Sequence, residues 1–134
     1  MRLNTNARNA AADGIVDLID IGAGDGKLQL WSGAYPGTIG GTPAGTMLAE
    51  FTYDATAFGA AVGGTATANG MPKTVVGLAD GTVAWYRIVD GNGDPVWDND
   101  SVGTSGTALV LNTTTISTGV DVTANSHTLT MPAS

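Results

Sequence analysis

The feature that most constrains this chain is the punctuation of its second half. Between residues 81 and 133, short runs of alternating apolar and polar residues are cut by turns of Gly, Asp, Asn and Thr. The run Thr82-Val83-Ala84-Trp85-Tyr86-Arg87-Ile88-Val89 stops at Asp90-Gly91-Asn92-Gly93-Asp94-Pro95. Period-two alternation sends successive side chains to opposite faces of a strand, and Asp, Asn and Gly are the residues tight turns require. The pattern predicts an all-β architecture and contains no catalytic constellation.

The first half adds one helix. Residues 4–21 read as one amphipathic helix: Leu3 just before it and Ala7, Ala11, Gly14, Ile15, Leu18 and Ile21 fall within one stripe at about 100° per residue, with Asn9, Asp13, Asp17 and Asp20 opposite. Asn4 or Thr5 serves as N-cap, and Gly22 as the stop. Asp17 and Asp20 oppose the helix dipole, and solvation is expected to relieve them. After a glycine-rich linker, 22–26, the alternation of 27–32 predicts a half-buried strand with Leu28 and Leu30 on one face and Lys27, Gln29 and Trp31 on the other. Pro36, Pro43 and five glycines make 33–46 a long loop suited to partner contacts. Further strands are expected at 47–53, 65–71, 74–78, 82–89, from Val96-Trp97 onward, at 107–111 and at 120–131, with Phe58 packing over the sheet. About seven or eight strands at short, regular spacing favour a β-sandwich or barrel. The expected organisation is one domain, 1–134, with the helix at 4–21 and a β-sandwich over 27–131.

Composition narrows the partners. Charged residues make up 13% of the chain, and there are 20 glycines and no cysteines. Disulfides and thiolate zinc sites are therefore excluded. A formal charge of −7 with Lys27, Lys73, Arg2, Arg8 and Arg87 scattered along the chain argues against binding nucleic acid or an anionic membrane. No run approaches the length of a membrane span, and the opening residues lack the apolar core of a secretory signal, so use without export is expected. Low charge and few large apolar residues predict a dimer or trimer, because a lone subunit would expose apolar patches.

Candidate chemistry is sparse. Asp90-Gly91-Asn92-Gly93-Asp94 has the alternating oxygens of a calcium loop, but Pro95 stands where such a loop needs Gly and Ser101 where it needs Glu. It reads as a solvated hairpin turn. Gly22-Ala23-Gly24-Asp25-Gly26 follows a helix instead of opening one, so it reads as a linker. His127, the sole histidine, lies in a strand-like run without a nucleophile elbow and reads as an exposed strand residue. Asp98 and Asp100 lack the cleft that a glycosidase pair requires and read as solvated. Trp31, Trp85, Trp97, Tyr35, Tyr53 and Tyr86 could form a carbohydrate platform, but a chain with so few aromatics needs them in its core or at subunit contacts. The residues name no catalytic, cofactor-binding or metal-binding site, and no cofactor.

Several motifs in order resemble a family of small virion proteins of tailed bacteriophages. They are the Ala/Asp-rich helix, Gly-Lys-Leu-Gln-Leu-Trp-Ser-Gly (26–33), Gly-Thr-Met-Leu-Ala-Glu (45–50), Gly-Thr-Ala-Thr-Ala-Asn-Gly (64–70), Gly-Thr-Val-Ala-Trp-Tyr-Arg-Ile (81–88), Val-Gly-Thr-Ser-Gly (102–106) and Leu-Asn-Thr-Thr-Thr-Ile (111–116). The resemblance implies a capsid decoration or cement protein: a jelly-roll-like β-sandwich of about seven or eight strands with one N-terminal α-helix. It implies no enzyme activity, binding to the major capsid protein, and location on the capsid surface after assembly in the host cytoplasm. A tail or baseplate component and a carbohydrate- or receptor-binding β-sandwich are the alternatives.

Overall fold

The computed structural model describes all residues, Met1–Ser134. Helix α1 (Thr5–Asp17) ends in a 3-10 turn (Leu18–Asp20). Eleven strands follow: β1 (Lys27–Trp31), β2 (Met47–Thr52), β3 (Thr65–Thr67), β4 (Lys73–Val76), β5 (Gly81–Thr82), β6 (Trp85–Val89), β7 (Pro95–Asn99), β8 (Val102–Gly103), β9 (Leu109–Leu111), β10 (Thr115–Ile116) and β11 (Asp121–Thr130). One sheet has the order β2-β1-β6-β7 and is antiparallel throughout. The other has the order β3-β11-β9-β8, with β4 also paired to β11, while β5 and β10 form a separate two-stranded ribbon.

The alternation in β1 sets the first sheet's buried face. Leu28 lies between Phe51 and Ile88, and Leu30 between Ala49 and Tyr86, all of them excluded from solvent. Leu109, Leu111, Val122 and Ala124 close the core from the second sheet. The chain is therefore mostly β, a sandwich of two sheets with one N-terminal helix. The expected strand at 82–89 is divided. Gly81 and Thr82 pair with β10, Val83 N–H bonds to Thr114, Ala84 N–H bonds to Trp31, and only then does β6 join the four-stranded sheet. The chain changes sheets at Val83-Ala84. The strands not foreseen, β8 and β10, are two residues each, too short to carry a period.

The helix exists where expected, but its docking face is different. Asn4 caps it by accepting from Ala7 N–H at 2.8 Å. The buried positions are Ala12, Val16 and Ile19, whereas Leu18 and Ile21 are 46% and 50% exposed. The expected polar face is turned inward because three of its side chains accept backbone N–H groups of the segment 57–64. Asn9 accepts from Gly64 at 2.7 Å, Asp13 from Ala61 at 2.7 Å and Asp20 from Ala57 at 2.9 Å. Asp20 gains the Ala57 N–H and remains exposed, and Asp17 is exposed as well, so solvation of both carboxylates is retained with one backbone donor added at Asp20. Arg8 Nε donates to Met131 O at 2.9 Å and so ties the helix to the C-terminal strand. Gly64 sits at φ +83°, and a side chain there would reach within 2.6 Å of the Arg8 guanidinium.

Replacing Asp13 by Ala strands the Ala61 N–H in a partly buried contact, at a cost of about 1–3 kcal/mol. Leu18→Asp, on the exposed side, should stay within about 0.5 kcal/mol of the parent. Urea unfolding compares the two, and a larger loss from Leu18→Asp would reverse the assigned helix face.

Candidate functional site

The outer face of the four-stranded sheet carries the densest set of polar and aromatic contacts. Trp31 of β1 opposes Trp85 of β6, and their rings stack at 5.7 Å. Two residues on, and so on the same face, Arg87 opposes Asp98 of β7. Directly opposed side chains on one face lie close enough to pair, and this pair is bidentate: Arg87 Nε to Asp98 Oδ1 at 2.8 Å and Nη2 to Oδ2 at 3.0 Å. Both side chains are buried, 8% and 5% exposed. The guanidinium also lies 5.1 Å from the Trp85 ring centre and donates to the Gly41 carbonyl at 2.8 Å.

Gly41 belongs to the β1–β2 loop, which folds over this face. Ser32 N–H donates to Thr46 O, and Thr46 N–H to Ser32 Oγ, closing its neck. Gly45 permits that closure, since a Cβ there would collide with the Ser32 carbonyl. Farther out, Tyr35 sets its ring edge against Trp85 and donates its hydroxyl to the Asp98 carbonyl at 2.8 Å. Partial burial, with Asp98 and Asp100 nearby, raises the Tyr35 hydroxyl above the usual phenol range. Between residues 35–39 and Val96, Trp97 and Asp98 of β7 an open cleft of about 360 Å³ remains. Two other hollows lie beside β4 and beside the end of β11, of about 460 and 320 Å³.

The sequence-derived candidates are dispersed. Asp90 accepts N–H bonds from Asn92 at 2.8 Å and Asp94 at 3.0 Å, so its carboxylate closes the hairpin turn, as expected of that segment. No group of three or more His, Asp or Glu side chains is gathered as metal ligands would be. The 22–26 linker packs on that turn, Gly24 N–H bonding to Gly91 O. Asp98 corrects the solvated reading, because it is buried against Arg87, whereas Asp100 is exposed. The tryptophans share no exposed groove. Trp85 is fully buried, Trp31 stacks on it under the loop, and Trp97 packs toward Phe58 and His127. The Arg87–Asp98 pair and the cleft beside it escaped the sequence reading. The available signal was that Arg87 shares an alternation face with Trp85, both lying on the face opposite Tyr86 and Ile88.

His127 is the second correction: it is fully buried. A bulge between Ala124 and Ser126 shifts the phase of β11, so the core positions pass from Val122 and Ala124 to His127. Its Nδ1 lies 2.6 Å from the Tyr53 hydroxyl and its Nε2 3.1 Å from that of Tyr86. Tyr53 donates to Nδ1, and Nε2–H donates to the Tyr86 oxygen, an assignment from the network in which a neutral ring satisfies both contacts. Burial pushes the histidine down to about 3 and Tyr86 up to about 12. The ring is a neutral structural strut between the sheets, with no path for a substrate.

The chain matches no protein-family model, no curated protein and no solved structure.

The unfolded chain protonates its histidine near pH 6.5, whereas the folded chain resists protonation until about pH 3. Below pH 6.5 the unfolded state therefore binds the extra proton, and stability falls as pH falls until the folded value is reached. Between pH 6.5 and 4.5, above most carboxylate titration, the loss should be roughly 2–3 kcal/mol. His127→Gln should lower stability at pH 7 and flatten the profile in that window. Denaturant melts at half-unit steps of pH check this, and an unchanged slope in the variant refutes the assignment.

Proposed function

We propose that this protein is a structural component of a tailed-bacteriophage virion that binds the outer surface of the capsid and stabilises it. The observation that carries this reading is the division of labour among its side chains. The groups suited to chemistry hold the fold together: His127 lies between two tyrosines, Arg87 against Asp98, and Asp13, Asp20, Asp80 and Asp90 on backbone N–H groups. Aliphatic side chains, by contrast, stand exposed at loops and strand ends: Ile39, Val62, Val76, Leu78 and Val120 are each more than half exposed. That is the surface of a protein that acts by adhering.

The resemblance of the ordered motifs to small virion proteins adds to this, and within the reading the sandwich is of the jelly-roll-like kind and the partner is the major capsid protein. The exposed aliphatic residues also favour self-association as a dimer or trimer on the shell, and the acidic balance keeps the protein off packaged DNA. A glycan platform is disfavoured because Trp85 is fully buried, Trp31 stacks on it under the loop, and Trp97 packs toward the core, so the three share no exposed face.

Cryo-electron microscopy of the particle tests the assignment, with density expected on the outer shell at symmetry-related positions. Shells stripped of the protein should rupture at a lower temperature and recover when it is added back. Density confined to the tail, or no recovery, overturns the capsid reading.

A further inference from the structure

We propose that the outward face of α1 docks against α1 of a second copy of this chain, the two helices lying antiparallel about a two-fold axis at Gly14. The amphipathicity of this helix is inverted. Asn9 and Asp13 are turned to the body by the backbone N–H groups they accept, and Ala12 and Val16 are buried beside them. At about 100° per residue the opposite line runs through Ala7, Ala10, Gly14 and Leu18, and all four are exposed. Leu18, the C-cap, keeps helical backbone angles and is 46% exposed, and Ile21, just past the 3-10 turn, is 50% exposed. A surface helix sets charged and polar residues on its outer face. This one sets none on the midline, with Asn6 and Asp17 at one margin.

The order of large and small side chains names the occupant. Pairing Gly14 with its own copy in the antiparallel sense sets Leu18 on Ala10 of the second copy and carries Ile21 toward its Ala7. The two-fold repeats both contacts, so bulk meets a small residue at each end. Gly14 lies at the crossing, where a Cβ would meet nothing within 4 Å, and two backbones can approach closely there. A parallel pair instead sets Leu18 on Leu18 and Ala7 on Ala7, which crowds one end and opens the other. It also sets Asp17 against Asp17. In the antiparallel pair Asp17 faces Ala11, so the two Asp17 carboxylates are offset by six residues, about 9 Å along the axis, more than the screening length of about 8 Å. The opposed helix dipoles add to the preference. α1 has 13 residues, about 20 Å of axis. Two faces of that length cover less than the roughly 1,000 Å² of a stable interface, so the copies pair weakly when free and firmly where something else holds them side by side. The contact takes from the proposed function only that copies of the chain associate, and gives that association a two-fold form.

The chain has no cysteine, so single cysteines report the pairing. Gly14→Cys faces its own copy within disulfide reach and should cross-link under copper–phenanthroline at least tenfold faster than Ser105→Cys, at an exposed loop position. Ala7→Cys alone should match the loop control, because in this register the two Ala7 positions lie about 21 Å apart along the axis. A mixture of Ala10→Cys and Leu18→Cys should give the mixed dimer. Leu18→Asp added to Gly14→Cys, in a protein that melts like the parent, should return the rate to that of the control. Gly14→Cys no faster than Ser105→Cys, Ala7→Cys as fast as Gly14→Cys, or a Gly14→Cys rate unchanged by Leu18→Asp each overturns the proposal. These rates are read on free protein, so failure here leaves the virion reading standing, and shells without density for a protein that cross-links as expected remove that reading alone.

Discussion

Tyr53, His127 and Tyr86 meet where the two sheets face each other, and the packing on either side is arranged around their hydrogen bonds. Phe58 and Trp97 enclose the imidazole at 5.3 and 6.0 Å between ring centres. A chain so rich in Gly, Ala and Thr has few large side chains with which to fill a sandwich. Using tyrosine and histidine there brings polar atoms into the core, and each one left unpaired would cost about 1–3 kcal/mol. The network closes only if the segment after β2, the middle of β6 and the bulged β11 arrive in one relative position. It therefore specifies the offset between the sheets, which apolar contacts alone would leave looser.

On the outer face the Arg87–Asp98 pair has the corresponding role. Its net stabilisation is limited, since both ions are desolvated. What it does is geometric. The guanidinium is held by Asp98 and lies against the Trp85 ring, and its Nη2, already bonded to Asp98, also donates to the Gly41 carbonyl. A glycine-rich loop that would otherwise wander is fixed over two tryptophans, and the cleft beside β7 acquires a wall. Removing either ion would leave the other buried and unpaired, so the loop's position and the sheet's integrity are linked.

What the sequence disclosed follows from how locally each signal is encoded. β1, β2 and the β6–β7 hairpin were legible because period-two alternation with one buried face is written in consecutive residues. Asn4 marked the start of the helix for the same reason. Its orientation was not legible, because Ala gives a weak apolar signal and Asn9, Asp13 and Asp20 earn their inward position from amides some forty to fifty residues away. His127 was misread because the bulge resets the alternation, and a bulge between Ala124 and Ser126 leaves no composition signature. The candidate site was half legible: the Pro/Gly loop announced a contact region, but Asp98 looked like a turn carboxylate until its cross-strand neighbour was known.

Charge then limits what this surface can meet. Of the five basic residues, Arg8, Lys73 and Arg87 are committed to internal partners. The exterior field is consequently acidic, set by carboxylates that outnumber the remaining cations. At physiological salt that field decays over about 8 Å, so it does not forbid contact but selects its chemistry patch by patch. At Val76, Leu78 and Val120 exposed aliphatic residues stand beside Asp80 and Asp121, so a neighbour there meets apolar area with carboxylates at its margin. At either end of β7 the exposed Asp94 and Asp100 make the local field negative, which favours positive over negative charge in anything that approaches. A surface of this kind is selective without any reactive group, because its edges and loops differ in the sign of the contact they reward.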